Sequence, residues 1–391
     1  MFQILKNPQF DFMKRGPLLL AVSGVLVLAS IVVLMTSSLN LGIEFTGGTE
    51  LQIKYATSTD VGAIRSALKG AGMTAQVTTI GVAADNEVYI RLAEGGGPVE
   101  SAELTGLVTR TLRSGVDAAD RADLNIADQA TLERLLAEAP GVTPTQAAQI
   151  AEDISAKRKE VAIFGGLDDL QGVAGLTSEV REFLVQQSVI GPLALRSQSY
   201  IGPAVGEELM NKARVAILLT LLMMLIYIWI RFQLQWGFAA VIALTHDTLI
   251  TLGLFSLLGK EMSLPVVAAF LTLVGYSVND TVVVFDRIRE NLRNRSAATF
   301  EETINLSINQ TLGRTIITSG LTWVVVFGLY IYGGPALNAF AFVLSVGVVV
   351  GTFSSIYIAS PVLLLWSRYA GKKGGADRAA AVRRTKKVRT S

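Results

Sequence analysis

Acidic and basic side chains sit inside stretches that are otherwise apolar enough to cross a bilayer. Within Leu264–Arg295, Asn279 and Asp280 interrupt an apolar run that closes on Asp286, Arg287, Arg289 and Glu290. A second carboxyl, Asp247, stands near the middle of the run before it, next to the only histidine of the chain, His246. A charge at membrane depth costs roughly 2.5–3.5 kcal/mol even on the gentler insertion scales, so such residues usually face a partner or a wetted path. Carboxyl groups held away from water can take up and release protons near neutral pH. The chemistry this pattern suggests is proton uptake and release inside a helical bundle, with Asp247, Asp280, Arg287, Asn279 and Asp286 as the candidate pathway.

Spacing sharpens the expectation. Asp280 lies roughly 10 Å inside the boundary set by Arg287, two helical turns away, so the two share a helix face that Thr272 and Tyr276 continue. Asp247 lies roughly 16 Å from Trp236 by helix rise, a comparable depth, so the two carboxyls could face each other across a helix pair. Arg287 could hold one of them ionised. His246 should point about 100° away from Asp247 and is expected to pack rather than relay. Thr311, Thr315, Thr318 and Thr322 form a stripe, and Gly347-x-x-x-Gly351 with Ser355 forms a close-packing face; both read as packing. An enzyme is not expected, because no nucleophile–base pair or phosphate loop is visible. With no cysteine and a single histidine, the chain lacks the residues for a disulfide or a thiolate or multi-histidine metal site.

The elements that must position these groups follow from hydropathy. The 391 residues are 51% hydrophobic with a mean hydropathy of +0.47, the composition of a multi-span membrane protein. Pro17–Met35 is long enough for a spanning helix and ends in MTSSLN rather than small cleavage-site residues, so a retained anchor is expected. Further spans are expected at about Ala213–Ile230, Trp236–Leu258, Leu264–Phe285, Thr311–Tyr332 and Leu337–Trp366, giving six. Lys6, Lys14 and Arg15, the arginines from Arg287 to Arg314, and the tail after Trp366 place both termini in the cytoplasm. The boundaries are then 1–36 for the N-terminus and first span, 37–212 for a periplasmic domain, 213–366 for the remaining spans and 367–391 for a basic tail that meets solvent or anionic lipid.

The outer domain reads as α+β. Thr49–Tyr55, Ala75–Gly81, Glu87–Ala93 and Leu193–Tyr200 alternate like strands, the middle two joined at Ala84-Asp85-Asn86. Ser58 and Thr59 can cap a helix over Asp60–Lys69. A further helix, either Glu100–Leu112 or Thr177–Gln187, would complete a βαββαβ ferredoxin-like unit. Gly95-Gly96-Gly97-Pro98 is expected to be a loop without a phosphate-binding role. Between the two candidate helices, an Ala-rich acidic segment of about residues 116–176 resembles a helix-hairpin-helix module. The resemblance rests on Asp123-Leu124-Asn125, Pro140-Gly141-Val142-Thr143-Pro144, Phe164 and Asp168-Asp169-Leu170. Its acidic surface argues for a structural or protein-contact insert and against nucleic acid.

Several longer stretches, in order, resemble the SecD/SecF family within the resistance–nodulation–division superfamily. They are Gly42–Gly48 (GIEFTGG), Gly202–Leu209 (GPAVGEEL), His246-Asp247, Gly253–Pro265, Gly275–Thr281 (GYSVNDT) running into Asp286–Asn291, and Asn305–Ser319 (NLSINQTLGRTIITS). The family usually has Asp where Glu44 stands. The resemblance implies an auxiliary membrane subunit of the Sec preprotein translocase in the bacterial inner membrane. With a SecD-like subunit it would use the proton motive force to draw unfolded preprotein outward from the SecYEG channel. It carries Asp247 and Arg287, with Asp280 nearby, to positions tied to proton passage, and it implies no cofactor. A half-transporter of the same superfamily for small molecules or lipids would share the buried carboxyls, and an anchored interaction protein would not explain them.

Overall fold

The computed structural model describes residues 8–37, 39–80, 86–92, 98–113, 121–232, 234–294, 297 and 299–369. Lys6, Ala84-Asp85, Gly95–Gly97, the first residues of the acidic segment, Arg295 and the basic tail from residue 370 lie outside the described residues. In chain order the elements begin with α1 (Phe12–Thr36), β1 (Asn40–Leu41), α2 (Ile43–Thr46), β2 (Gly48–Tyr55), α3 (Val61–Gly70), β3 (Ala75–Ile80), β4 (Glu87–Leu92) and α4 (Pro98–Leu112). They continue with β5 (Ala122–Asp123), α5 (Gln129–Ala137), α6 (Pro144–Val161), α7 (Ser178–Gln187), β6 (Ser188–Val189) and β7 (Leu193–Ile201). The last are α8 (Pro203–Arg231), α9 (Leu234–Leu257), β8 (Glu261–Met262), α10 (Leu264–Arg293), α11 (Phe300–Tyr332) and α12 (Gly334–Ser354). The final helix runs on to Tyr369 through a π-helical turn at Ser355–Ala359.

Two compact units result, one of residues 1–42 with 211–391 and one of 43–210. The first is the membrane unit. Among the described residues, six helices are long and apolar enough to cross a bilayer: α1, α8, α9, α10, α11 and the helix ending at Tyr369. Its core gathers small residues of α9 (Ala239, Ala240, Ala243) with Phe285 and Ile288 of α10 and Ile304 and Ile308 of α11. Small side chains let helix backbones approach where apolar burial alone gives no preference over lipid. A Cβ at Gly253 of α9 would collide with Ser30 of α1, and one at Gly347 of α12 would collide with Leu273 of α10. The Gly347 and Gly351 face is thus packed, as the spacing suggested. The threonine stripe of α11 hydrogen-bonds mainly its own backbone: Thr311 to Ser307 O, Thr318 to Arg314 O and Thr322 to Thr318 O.

The start of α1 has a specific clasp. Asn305 Oδ1 accepts from the N–H groups of Phe12 (3.0 Å) and Met13 (3.1 Å), and Asn309 Oδ1 accepts from that of Phe10 (2.9 Å). The amides of Phe12 and Met13 are among those at a helix start that have no intrahelical partner. Gly253→Ala is expected to loosen α1 from α9 at a cost of about 1–3 kcal/mol, the usual range for overpacking. A fall in the thermal unfolding midpoint of the full chain in detergent checks it, and an unchanged midpoint contradicts the packing described.

The second unit holds a four-stranded antiparallel sheet in the order β3-β4-β2-β7. Strand β2 is central, pairing Leu51 with Ile90 on one side and with Gln198 on the other. Its inward residues Leu51 and Ile53 are fully buried with Ile64 and Leu68 of α3 and Val108 of α4. Asp60, not Ser58 or Thr59, caps α3, its side chain accepting from Gly62 N–H (3.0 Å). Of the two candidate helices, α4 packs on the sheet. Helix α7 joins a separate core with α5 and α6, through Val180 and Leu184 against Leu132, Leu136, Ile150 and Phe164. That core extends past the expected end of the acidic segment, because Ala122-Asp123 pairs in parallel with Ser188-Val189.

Candidate functional site

The site lies in the membrane unit, where α9, α10, α11 and α12 meet. Asp247 of α9 is completely buried. Its Oδ2 accepts from Ser277 Oγ of α10 (2.5 Å) and Ser354 Oγ of α12 (2.7 Å). Its Oδ1 lies 2.8 Å from His246 Nδ1. Ionised, this carboxyl has three donors and lacks any cation other than the imidazole in contact among the described residues. Asp280 of α10 is also buried, and its Oδ2 accepts from Ser319 Oγ of α11 (3.2 Å) and Thr352 Oγ1 of α12 (3.5 Å). Ser319 Oγ in turn accepts from the hydroxyl of Tyr276 (3.1 Å).

The two carboxyls therefore do not face each other, as the depth match suggested. Ser277 occupies the place on α10 that faces Asp247. Asp280, three residues on, is turned about 60° from it around the helix. Both carboxyls instead bond to α12, through Thr352 and Ser354, immediately before the π-helical turn. Such turns interrupt regular helix bonding and recur at functional sites. A burying environment without a matching positive charge disfavours an ionised carboxylate unless hydrogen bonds compensate. Here hydroxyls donate to both carboxyls, and a hydroxyl can rotate to serve either the charged or the neutral acid.

The other candidates lie outside this cluster. Arg287 does not reach Asp280: its Nε donates to Gln310 Oε1 and its Nη1 to Glu290 Oε2, each at 2.6 Å. Two turns of rise separate it from Asp280, while Glu290 is one turn away and Gln310 comes across from α11. Asp286 pairs with Arg231 (2.5 Å) and lies near Arg289 (3.9 Å), both exposed contacts of little energetic weight. Asn279 is exposed and lines a groove of about 560 Å³ between α8 and α10, with Thr220, Met223 and Tyr227.

His246 packs, as expected, but its ring also meets the carboxyl it was expected to point away from. Neighbouring Cβ atoms diverge by about 100°, but the ring and the carboxyl are long enough to curl toward each other. The imidazole stacks on Phe353 with ring centroids 6.5 Å apart, and its buried Nε2 has no partner among the described residues. Sequence reasoning also missed Ser277, Ser319, Thr352, Ser354 and Arg314. Arg314, on α11, is the cation whose field acts on Asp280. The available signal was that Ser277, Arg314 and Ser319 fall inside the two long stretches noted above. Nothing local marked Ser354.

Comparison with known proteins bears on this arrangement. The family model for the C-terminal region of the protein export membrane proteins SecD/SecF matches residues 185–369, and that for the SecD/SecF GG motif matches residues 32–59. A protein named protein translocase subunit SecF from Koribacter versatilis is 35% identical over 390 residues, 96% of each chain. One of the same name from Desulfurispirillum indicum is 37% identical over 358 residues, 91% of each. The crystal structure of SecDF, a translocon-associated membrane protein from Thermus thermophilus, aligns with a TM-score of 0.66 and 28% identity. The alignment covers 93% of this chain, which spans 39% of the length of that SecDF chain.

Proposed function

The chain belongs to the SecD/SecF family of protein export membrane proteins, as a multi-pass auxiliary subunit of the Sec translocase, and from this premise we propose that it converts proton entry at Asp247 and Asp280 into pull on an exported chain. The observation that carries the reading is the double attachment of α12 to two buried carboxyls, through Thr352 and Ser354. Protonation removes a buried charge and changes what each carboxyl asks of its hydroxyl partners from donation to acceptance. A helix held two residues apart by two such groups has reason to shift when either titrates, and the π-helical turn beside them gives it a deformable point. Arg287, with Glu290 and Gln310, holds α10 and α11 together at the end of the path.

In this reading the membrane is the bacterial inner membrane, with both termini cytoplasmic and residues 37–212 periplasmic. The partners are a SecD-like subunit that completes a pseudo-symmetric membrane unit, the SecYEG channel and unfolded preprotein. The sheet of the second unit serves as a ferredoxin-like base, and the helical core of α5–α7 as a protein-contact module on it.

Isolation of the full chain from its native membrane with mild detergent tests the assembly. A SecD-like chain and the translocation channel are expected to co-isolate. A chain that isolates without either, and drives proton flux in vesicles in response to a small molecule, is a half-transporter, and the proposal fails.

A further inference from the structure

One cation of the membrane unit stands apart from the carboxyl cluster. Lys260 lies in the short connection between α9 and α10, outside both spans. Its Nζ donates to Asn338 Oδ1 (2.9 Å) and sits 4.8 Å from the centre of the Phe342 ring and 5.4 Å from that of Tyr330. Asn338 is itself fixed, its Nδ2 donating to Tyr330 O (3.1 Å). The aromatic faces favour a cation electrostatically, yet among the described residues only one of the three ammonium donors meets a hydrogen-bond acceptor. No ion pair reaches this ammonium among the described residues. Burial pushes it below the ordinary lysine range, and an anion beside it would favour the charged form.

The same two rings form the end of a groove between α11 and α12. It holds about 310 Å³ and is walled by Trp323, Phe327, Val346 and Val349 besides Tyr330 and Phe342. Trp323 and Phe327 stack with centroids 4.6 Å apart and present a flat apolar wall. Ser345, on the same lining, is buried, and its hydroxyl has no partner among the described residues. A helix with side chains is about 10–12 Å across, and a single hydrocarbon chain is much slimmer. The groove thus joins a narrow apolar trough, one unpaired hydroxyl along it and a cation at its end.

We propose that this groove binds one acyl chain of an anionic phospholipid, with the headgroup phosphate accepting from Lys260 and the Ser345 hydroxyl donating to a glycerol ester. The long chain lies against Trp323, Phe327 and Val349. The assignment rests on charge complementarity and shape, and is independent of how the chain uses protons.

The test is native mass spectrometry of the full chain released from micelles containing equal amounts of phosphatidylglycerol and phosphatidylcholine with the same acyl chains. Wild type is expected to retain phosphatidylglycerol about fivefold over phosphatidylcholine, the size of effect one lysine exerts on an anionic headgroup. Lys260→Gln keeps the contact to Asn338 and is expected to retain lipid without preference. Val349→Trp, at an exposed position of the groove wall, is expected to lose retained lipid of both kinds while its unfolding midpoint stays near wild type. Equal retention of the two lipids by wild type, or an undiminished preference in Lys260→Gln, would overturn the proposal. So would displacement of the lipid by a co-isolating membrane chain seated on Val349.

Discussion

Replacing Asp247 by Asn is expected to abolish the gradient-dependent part of protein export while leaving the fold in place. The structure explains why the two effects separate. The carboxyl is surrounded by groups that can reverse their hydrogen bonds: two serine hydroxyls and an imidazole with two tautomers. An asparagine can donate to any of them, so packing survives. What it cannot do is bind a proton. Export by inverted membrane vesicles, with and without an imposed proton gradient, measures the difference. A loss of tenfold or more is expected in the gradient-driven component, with ATP-driven export little changed. Normal gradient-driven export by this variant would remove Asp247 from the mechanism and leave it as an interhelical prop.

Asn125→Ala is expected to produce the largest loss of stability in the second unit. Asn125 is fully buried, donates from Nδ2 to Phe164 O (3.0 Å) and Gly191 O (2.9 Å), and accepts at Oδ1 from Phe164 N–H (2.8 Å). One side chain thereby clips the start of the helical module to its far loop and to the strand that returns to the sheet. Alanine leaves two buried carbonyls and one buried N–H without partners, each costing about 1–3 kcal/mol. A total near 3–5 kcal/mol is a large share of the roughly 5–15 kcal/mol that holds an ordinary domain. Hydrogen exchange over residues 122–189 should accelerate sharply, with the sheet strands less affected. Unchanged protection of the Phe164 amide would show that the clip carries no load.

The strands were legible because their alternation is local. Burial along β2 follows the expected period, and the observed bounds of β3, β4 and β7 fall within a residue or so of those read from pattern. The six apolar runs were legible for the same reason: hydrocarbon demands a continuous stretch, and continuity is visible in one dimension. The choice between α4 and α7 was not legible. Both are amphipathic helices of suitable length, and only the pairing of Ala122-Asp123 with Ser188-Val189 assigns α7 to the other core. The cap at Asp60 was a near miss of the same kind, since three adjacent residues could all cap and backbone geometry selects one.

Six spans, carboxyls inside their bundle and the long stretches that tie the chain to its family can all be read along one dimension. Composition and hydropathy suffice for that, because they act residue by residue against a fixed solvent. Which groups those carboxyls meet was decided only in three dimensions. Ser277, Ser319 and the pair Thr352 and Ser354 come from three different helices, and their convergence depends on crossing angles and on rotations as small as the 60° or so between Ser277 and Asp280. Arg287 shares a face with Asp280 in the helical projection yet bonds elsewhere, because rise along the axis limits reach and nearer acceptors take the guanidinium.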